Sequence, residues 1–276
     1  MDRPGIIRPP AVGGLFYPGS PAALTRDLAG MVARAQGARH SGRVLGILSP
    51  HAGYVYSGAT AAAAYARLAG QSYDTVVIVS PSHREFFEGV SVYSGDGYRT
   101  PIGTVSVNAA LRSRLMAECP IVRASESGHG EEHAIEVQIP FLQHVLREFQ
   151  ILPLVIGDQR RENCFALGEA LARILQGASA LLVASTDLSH YHPSSVAKRL
   201  DRVFQQDVER FDCEQLMKDL EDGTTEACGG GPSVAVMKAL ADLGARTMEV
   251  AYQCNSGDVT GDTSAVVGYL SAVAYA

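Results

Sequence analysis

Short apolar runs alternate along the chain with longer amphipathic stretches, a pattern that only a few folds can accommodate. The short runs are rich in β-branched residues and are apolar nearly throughout, as strands covered on both faces of a sheet are. They predict strands at residues 44–48, 75–80, 151–156, 181–185, 247–253 and 265–274. The amphipathic stretches predict helices at residues 21–35, 58–68, 107–118, 132–148, 162–175, 194–211 and 233–243.

Alternating strands and helices predict a three-layer α/β/α arrangement around a mainly parallel central sheet. Residues 98–103 interrupt the alternation as a loop or hairpin, so a mixed sheet is the alternative. Neither a long linker nor a repeat divides the sequence, and its 276 residues suffice for one large domain. We therefore expect a single domain over residues 1–276.

Charge and composition exclude several classes of partner. The net charge is −6 and the basic residues do not cluster, so the electrostatic footprint of a nucleic-acid-binding protein is missing. No apolar run approaches the roughly 20 residues that a membrane span needs, and no signal-like apolar segment opens the sequence. The five cysteines are odd in number and widely spaced, which fits a reducing compartment better than a disulfide framework. The expected location is cytoplasmic.

Histidines follow three of the predicted strands. His51, His83 and His190 each come within a few residues of the end of such a strand. Ligands of open α/β sheets bind outside the carboxyl ends of the strands, so these side chains are expected at one edge of the sheet. Two imidazoles such as His51 and His83 suit Fe, Zn or Cu. On spacing alone, two surface loop histidines that bind nothing explain the pattern equally well.

Cys228 precedes three glycines and an apolar stretch predicted as a helix. A thiol near a helix N-terminus has a lowered pKa, and the thiolate is the form that binds a metal. The glycines at 229–231 would let the backbone approach a bound ion closely. A flexible glycine-rich turn with an incidental cysteine is the alternative. The other four cysteines lie in segments typical of helices or strands and are predicted to be small buried apolar residues.

Asp187 and His190 belong to a segment, Asp-Leu-Ser-His, that follows a predicted strand. A histidine near a metal can exchange a proton with substrate, and a carboxylate can fix the tautomer of an imidazole. We predict the first role for His190 and the second for Asp187. For Asp187 the alternative is an N-cap of the helix that follows.

His133 and Glu136 stand at the start of the helix predicted over residues 132–148. They are three residues apart and would therefore share one face of that helix. The acidic pair Glu131 and Glu132 is explained by the helix macrodipole, which favours negative charge in the first turn. The macrodipole explains His133 poorly.

The chain resembles the Memo family, the protein B of the AmmeMemoRadiSam set, in seven motifs that occur in order along nearly its whole length. The motifs are Ala-Val-Gly-Gly-Leu-Phe-Tyr-Pro at 11–18, Ser-Pro-His-Ala-Gly-Tyr at 49–54, Pro-Ser-His at 81–83, Thr-Pro-Ile-Gly at 100–103, Glu-His-Ala-Ile-Glu-Val-Gln-Ile-Pro-Phe-Leu at 132–142, Ser-Thr-Asp-Leu-Ser-His at 185–190 and Cys-Gly at 228–229. The resemblance implies an α/β domain similar to class III extradiol dioxygenases, which hold Fe(II) with two histidines and a carboxylate. It also implies a functional link to an AMMECR-type protein and a radical SAM protein.

The resemblance also implies a set of site residues. By motif, His51 and His83 match the two histidine ligands, and Cys228 matches the cysteine that is the third ligand in the Memo family. His190 matches a site histidine, with Asp187 beside it. One metal ion is therefore expected, with Fe(II) first. Cu and Zn are alternatives, because a thiolate is softer than a carboxylate.

These expectations describe a metal-dependent, dioxygenase-like redox enzyme acting on a small bidentate substrate. Tyr54 would donate a hydrogen bond to the substrate, and His133 with Glu136 would line the pocket or support the ligands. Two alternatives stay open. One is an iron- or copper-handling metalloprotein without turnover. The other is a binding module whose cleft takes a peptide and whose metal site is vestigial.

Overall fold

The computed structural model describes residues 5–35 and 42–276, in which strands and helices alternate. The strands are β1 Ile7–Arg8, β2 Val44–Ser49, β3 Thr75–Pro81, β4 Val90–Tyr93, β5 Gly97–Thr100, β6 Gly103–Ser106, β7 Val122–Ser125, β8 Gln150–Ile156, β9 Ala180–Ser185, β10 His190–His192, β11 Thr247–Asn255 and β12 Val266–Tyr275. The α-helices are α1 Pro21–Arg34, α2 Tyr54–Tyr65, α3 Ala109–Glu118, α4 Ile139–Val145, α5 Arg161–Leu175, α6 Ser194–Arg210, α7 Cys213–Glu221, α8 Gly230–Asp242 and α9 Ser256–Thr260. Over these described ranges, no helix has both the length and the apolar character needed to cross a bilayer.

The central sheet is mixed, with a parallel centre. Its strands run in the order β10-β12-β2-β9-β3-β8-β4-β7, and β11 also pairs with β12. β2, β9, β3 and β8 are parallel neighbours, whereas β12 is antiparallel to β2 and β4 is antiparallel to β8. The expected parallel sheet is confirmed for these four strands, and the mixed alternative is confirmed for the sheet as a whole.

Residues 98–103 belong to a hairpin, as one of the two sequence-based alternatives had it, but the hairpin lies outside the central sheet. β5 and β6 pair antiparallel, and β1 joins β5 to form a separate three-stranded sheet. The mixed character of the central sheet therefore comes from β4, β10, β11 and β12. Of these, β4 and β10 are too short to stand out as apolar runs in the sequence.

Helices cover both faces of the central sheet. Along β3, Val76 and Ile78 pack into a core with side chains of α1, α2 and α4. Val77 and Val79 point the other way, into a core shared with α3, α5, α6, α7 and α8. Alternate residues of a strand face opposite sides, so a strand that is apolar throughout requires cover on both. The three-layer α/β/α prediction is confirmed.

The helix predicted over residues 132–148 is wrong in its first part. The structure has a 3-10 turn at Glu136–Gln138 followed by α4, and residues 132–135 are not helical. Pro140 lies in the first turn of α4. A proline is tolerated there because the first turn has no intrahelical partner for its N–H, whereas in the middle of a longer helix it would remove a hydrogen bond.

Candidate metal centre

Three loops at one edge of the sheet bring the predicted metal ligands together. His51 follows β2, His83 follows β3, and Cys228 comes from the loop before α8. β9 lies between β2 and β3 in the sheet, so the two histidine loops flank its carboxyl end. One ligand atom from each of the three residues lies within 4.8 Å of the other two. His51 Nε2 is 3.1 Å from Cys228 Sγ.

The tautomer of His51 is set by Ser185, at the end of β9. Ser185 Oγ has one proton, which it donates to the carbonyl oxygen of Ala134 at 2.7 Å. The same oxygen accepts from Gln138 Nε2 at 2.7 Å, so in its contact with His51 Nδ1 at 3.0 Å the imidazole donates. The Nε2 lone pair of His51 therefore faces Cys228 Sγ, and the thiol can donate a hydrogen bond to it. Burial, assisted by the neighbouring His83, lowers the pKa of His51 well below its usual value and keeps the ring neutral.

Glu132 sets the orientation of His83. Its carboxylate accepts from the His83 backbone N–H at 2.6 Å and from His83 Nδ1 at 2.9 Å, which leaves Nε2 free. It also accepts from the backbone N–H groups of His133 and Ala134. Burial alone would raise the pKa of Glu132, but the contacts with His133 and His83 hold it well below its usual range. The helix-start explanation of Glu132 is wrong, because this residue lies outside any helix and its carboxylate holds a candidate ligand.

The pKa of the Cys228 thiol is raised, whereas a position near a helix N-terminus predicts a lowered pKa. Its Sγ accepts a hydrogen bond from the backbone N–H of Asp187 at 3.3 Å. Burial, followed by the nearby Asp187 carboxylate, raises the pKa of Cys228 far above its usual value. The expectation of a lowered pKa is therefore wrong for the metal-free protein. A bound cation would reverse this, since a coordinated thiol loses its proton.

The glycines after Cys228 allow close packing of the backbone. A Cβ at Gly229 would collide with the carbonyl oxygen of Ser185, at the end of β9. A Cβ at Gly231 would lie 2.8 Å from both Cys164 Sγ and the Gln159 side chain. These glycines let the loop press against the end of the sheet, which is a different role from the predicted approach to an ion.

Asp187 supports His51 and does not cap a helix. Its Oδ1 accepts from the His51 backbone N–H at 2.8 Å, and α6 begins only at Ser194. Burial raises the pKa of Asp187, against the hydrogen bonds from the backbone N–H groups of His51 and Ala52. The N-cap alternative is therefore wrong. The carboxylate holds the backbone of the His51 loop, whereas the imidazole tautomer is set by Ser185.

His190 lines a cleft of about 810 Å³ together with His83 and Cys228. Its Nδ1 is 2.7 Å from the carbonyl oxygen of Leu188, which can only accept, so Nδ1 carries the proton and Nε2 has a lone pair. The exposed ring of Tyr191 contributes apolar surface to the same cleft. The volume lies within the range of small-molecule sites.

Tyr54 and Glu136 lie away from this cleft, which corrects their predicted roles. The Tyr54 hydroxyl donates to the carbonyl oxygen of Val137 at 2.7 Å, and its ring borders a second cavity of about 560 Å³ that contains none of the candidate ligands. Glu136 accepts from Arg8 Nη1 at 2.6 Å and from the Tyr17 hydroxyl at 2.5 Å. Both polar groups are thus already bonded inside the protein, and neither is available to a substrate.

His133 lies beside the candidate ligands. Its ring centroid is 5.3 Å from that of His51 and 4.7 Å from that of His83. His133 Nδ1 is 3.2 Å from Glu132 Oε1, yet the geometry is not that of a hydrogen bond, and none of the described residues gives this buried nitrogen one. His83, Glu132 and His133 could form a second ligand group by distance, but the Glu132 carboxylate already accepts from four N–H groups.

Sequence reasoning missed Ser185, Gln138 and Glu132, which orient the two histidines. Ser185 and Gln138 lie within the motifs that carry the resemblance, but nothing in their local pattern points to a contact with His51. Glu132 stands next to His133, and a buried carboxylate beside a histidine is a signal for imidazole support. The prediction of a helix from residue 132 already explained this carboxylate by the macrodipole, so its contact with a histidine was not considered.

Comparison with known proteins finds relatives that match nearly the whole chain. A family described as Memo-like protein matches residues 8–273. A MEMO1 family protein of Methanocaldococcus jannaschii is 36% identical over 97% of this chain and 98% of that protein. A MEMO1 family protein of Aquifex aeolicus is 37% identical over 97% of this chain and 98% of its own length.

The fold is also similar to that of a solved structure at lower sequence identity. An uncharacterized protein of Escherichia coli K12 matches 84% of this chain and 99% of its own, with a TM-score of 0.53 and 17% identity. At that identity the likeness concerns the fold alone. The match over residues 8–273 and the full-length relatives, by contrast, define a family, and this chain therefore belongs to the Memo family.

Proposed function

We propose that this protein holds one metal ion through His51, His83 and Cys228 and oxidises a small bidentate substrate in the adjoining cleft. The observation that carries the proposal is the convergence of three ligand atoms within 4.8 Å at the edge of a cleft of about 810 Å³. Both imidazoles have Nδ1 hydrogen-bonded by the protein, so each has Nε2 as its ligand atom. His51 Nε2 faces the Cys228 thiol, whose proton would leave on metal binding. In metal sites of proteins, the nitrogen of a histidine ligand that does not bind the metal typically donates a hydrogen bond to a protein acceptor.

The donor set fits Fe(II), with Cu and Zn as alternatives. Two neutral imidazoles and one thiol suit borderline and soft transition metals and are poor ligands for Mg²⁺ or Ca²⁺. Cys228 would release its proton on binding, because the thiolate is the ligand form. Fe(II) held by three protein ligands would keep open coordination positions, at which O₂ and a chelated substrate could bind side by side. In dioxygenase chemistry the substrate supplies the electrons and both oxygen atoms enter the product, so no further reductant is needed.

His190 is the residue that we assign to proton transfer. Its Nδ1–H is donated to the carbonyl oxygen of Leu188, so the lone pair of Nε2 is available on a ring that lines the cleft. It would take a proton from a substrate hydroxyl and return it to the product. Tyr191, which is exposed and lines the cleft, would cover the apolar part of the substrate and exclude water.

Metal handling without turnover is the second candidate. A thiol ligand, Cys228, favours it, since soft donors suit Cu(I) and Zn as well as iron. The two candidates differ in what the cleft does. An enzyme consumes O₂ and substrate there, whereas a metal-handling protein releases or accepts an ion.

The proposal is tested with protein purified and loaded with Fe(II) under anaerobic conditions. We expect about one iron per chain, and a sharp loss of iron in His51→Ala while the fold survives. His190→Gln should keep the iron and lose about 10²- to 10⁴-fold in turnover, the usual contribution of general acid–base catalysis. His144→Gln, on α4, is the matched control and should change neither property. Iron is measured by elemental analysis, and turnover by O₂ uptake with a panel of catechols and vicinal diols.

Three results would contradict parts of the proposal. Unchanged iron content in His51→Ala would remove the metal site. Loss of iron in His190→Gln would make His190 a ligand. Iron binding without any O₂ uptake across the panel would place metal handling ahead of the enzyme.

A further inference from the structure

The side chain of Gln159 bridges the loop that carries Cys228. Gln159 lies between β8 and α5. Its Nε2 donates to the carbonyl oxygen of Cys228 at 2.8 Å, and its Oε1 accepts from the backbone N–H of Gly231 at 2.8 Å. One amide therefore contacts the backbone at Cys228 and again three residues further on.

The loop is held on its other side by the segment after β9. The Cys228 backbone N–H donates to the carbonyl oxygen of Asp187 at 3.2 Å, and Gly229 N donates to Thr186 Oγ1 at 3.1 Å. Gln159, which follows β8, holds the opposite side of the loop from the residues that follow β9. With both sets in place, the backbone on each side of the sulfur is fixed, and Sγ faces His51 Nε2.

Gln159 also lines the cleft, which raises the question of whether it binds substrate instead. Both polar atoms of its amide are used on the loop. A Cβ at Gly231 would lie 2.8 Å from Gln159 Cβ, so the close approach of the two segments depends on the glycine. The side chain is packed for holding the loop, and an incoming ligand would have to break two hydrogen bonds to recruit it.

We propose that Gln159 is a positioning residue that holds the Cys228 sulfur in place opposite His51. The inference rests on the proposed function in one respect, that Cys228 is a metal ligand. Removing the amide leaves the backbone at Cys228 and Gly231 free to move away from β8. The sulfur would then occupy several positions in the metal-free protein, and a bound ion would have to select one of them.

Two variants and one control test the role. Gln159→Leu removes both hydrogen bonds at similar volume, whereas Gln159→Glu keeps the acceptor for Gly231 and removes the donor to Cys228. Gln205→Leu is the matched control, because Gln205 makes a comparable side-chain hydrogen bond to Glu209 on the exposed face of α6. All four proteins are compared as full-length chains, and circular dichroism with thermal unfolding shows that each is folded.

The first readout is Co(II), whose charge-transfer band reports directly on a thiolate ligand. We expect Gln159→Leu to bind Co(II) about 10- to 100-fold more weakly, the usual effect of losing a group that supports a metal ligand. Its thiolate band should be weaker and shifted. Gln159→Glu should also bind Co(II) more weakly than wild type, because a carboxylate oxygen replaces the N–H donor opposite the Cys228 carbonyl oxygen. A purely structural role would lower the unfolding temperature and leave the band of the folded protein unchanged.

The second readout needs no metal. The rate at which iodoacetamide alkylates Cys228 in the metal-free protein should rise roughly tenfold in Gln159→Leu, because two hydrogen bonds that keep the loop closed are lost. Peptide mass spectrometry locates the modified cysteine. If the folded Gln159 variants match wild type in the Co(II) band, in Co(II) affinity and in the alkylation rate, the positioning role is refuted. If wild type binds neither Co(II) nor Fe(II), the proposed function fails, and the alkylation rates still decide whether Gln159 holds Cys228.

Discussion

Tyr191 has a backbone conformation that is unfavourable for a residue with a Cβ. Its φ is 61°, in the left-handed region, and its side chain is 77% exposed. The residue occupies the irregularity between His190 and His192 where β10 pairs with β12. Bulges of this kind re-aim the neighbouring side chain. We attribute the direction of the His190 ring, into the cleft, to this local distortion.

The left-handed conformation should make Tyr191→Gly a stabilising change. A left-handed residue with a Cβ costs about 1–2 kcal/mol, and the greater flexibility of glycine in the unfolded chain offsets about 0.5–1 kcal/mol of the gain. We expect the free energy of unfolding to rise by up to about 1 kcal/mol, measured by urea denaturation. Tyr252→Gly in β11 is the control, because Tyr252 is half-exposed and is not left-handed. An equal loss in both variants would show that Tyr191 stores no strain.

The candidate ligands stand beside local signals in the sequence, and the resemblance to the Memo family singled them out as a set. His51 and His83 follow apolar strands, and Cys228 precedes an apolar helix. The residues that orient them could not be found in this way. Glu132 is 49 residues from His83, and Ser185 is 134 residues from His51, so each contact depends on how the strands are ordered in the sheet. No local pattern contains that order.

Among the helices, α6 is connected through Asp201 to the segment that leads into β10. Its Oδ1 accepts from the backbone N–H of Ser189 at 3.1 Å, next to His190. Burial raises the pKa of Asp201 to about 6, with the Ser189 hydrogen bonds acting in the opposite direction. The folded protein therefore binds this proton more tightly than the unfolded chain. The contribution of Asp201 to stability is greatest below the unfolded pKa and declines as the pH rises to about 6.

Asp201→Asn should therefore stabilise the protein at neutral pH. The amide keeps an oxygen acceptor for Ser189 and removes the ionisation that burial opposes. We expect the variant to exceed wild type by on the order of 1–3 kcal/mol at pH 7, with the difference vanishing near pH 4. Urea unfolding across this pH range measures the effect. Asp222→Asn, at an exposed aspartate, should show no comparable trend. A constant offset at every pH would contradict the assignment.

Elements were predictable where length and composition both pointed to them. β2, β3, β8 and β9 are long and apolar, and each was found within a residue or two. β10 has three residues and β4 has four, too few for a periodic signal. The region around residue 132 shows a different limit. Its pattern of apolar and charged residues suits a helix. In the structure the Glu132 carboxylate instead accepts a hydrogen bond from His83, and α4 begins only at Ile139.

Arg8 links β1, the first described strand, to the candidate metal centre across a long separation in sequence. Its Nη1 is 2.6 Å from Glu136 Oε2, and both side chains are buried. Its Nε and Nη2 donate to the carbonyl oxygens of His129 and Glu132, each at 2.5 Å. The segment that begins at β1 therefore holds the backbone of the residue that orients His83.

Loss of this arginine should be strongly destabilising. Arg8→Met leaves the Glu136 carboxylate buried without its cation, which typically costs about 3–5 kcal/mol. Arg26→Met is the control, because Arg26 is 76% exposed, and we expect a change within about 0.5 kcal/mol. Chemical denaturation measures both. Adding Glu136→Gln to Arg8→Met should recover part of the loss, and no recovery would show that the uncompensated charge is not its cause.

The layer architecture was readable from sequence, and the strand order was not. Apolar strands alternating with amphipathic helices have few stable arrangements, so three layers follow from the pattern alone. The order β10-β12-β2-β9-β3-β8-β4-β7 depends on which helices cover which face and on the length of each connection. β11 and β12 read as further buried strands, yet they run antiparallel because a short α9 turn joins them.

The place of β12 in the sheet has a consequence for biosynthesis. β12 is the last of the described strands along the chain, yet it pairs with β2, β10 and β11 inside the sheet. On a translating ribosome, the edge of β2 that pairs with β12 stays unpaired until nearly all of the described chain has emerged. The His51 loop at the end of β2 would share that delay. Closure of a three-residue ion site would then wait until β12 has emerged and paired with β2.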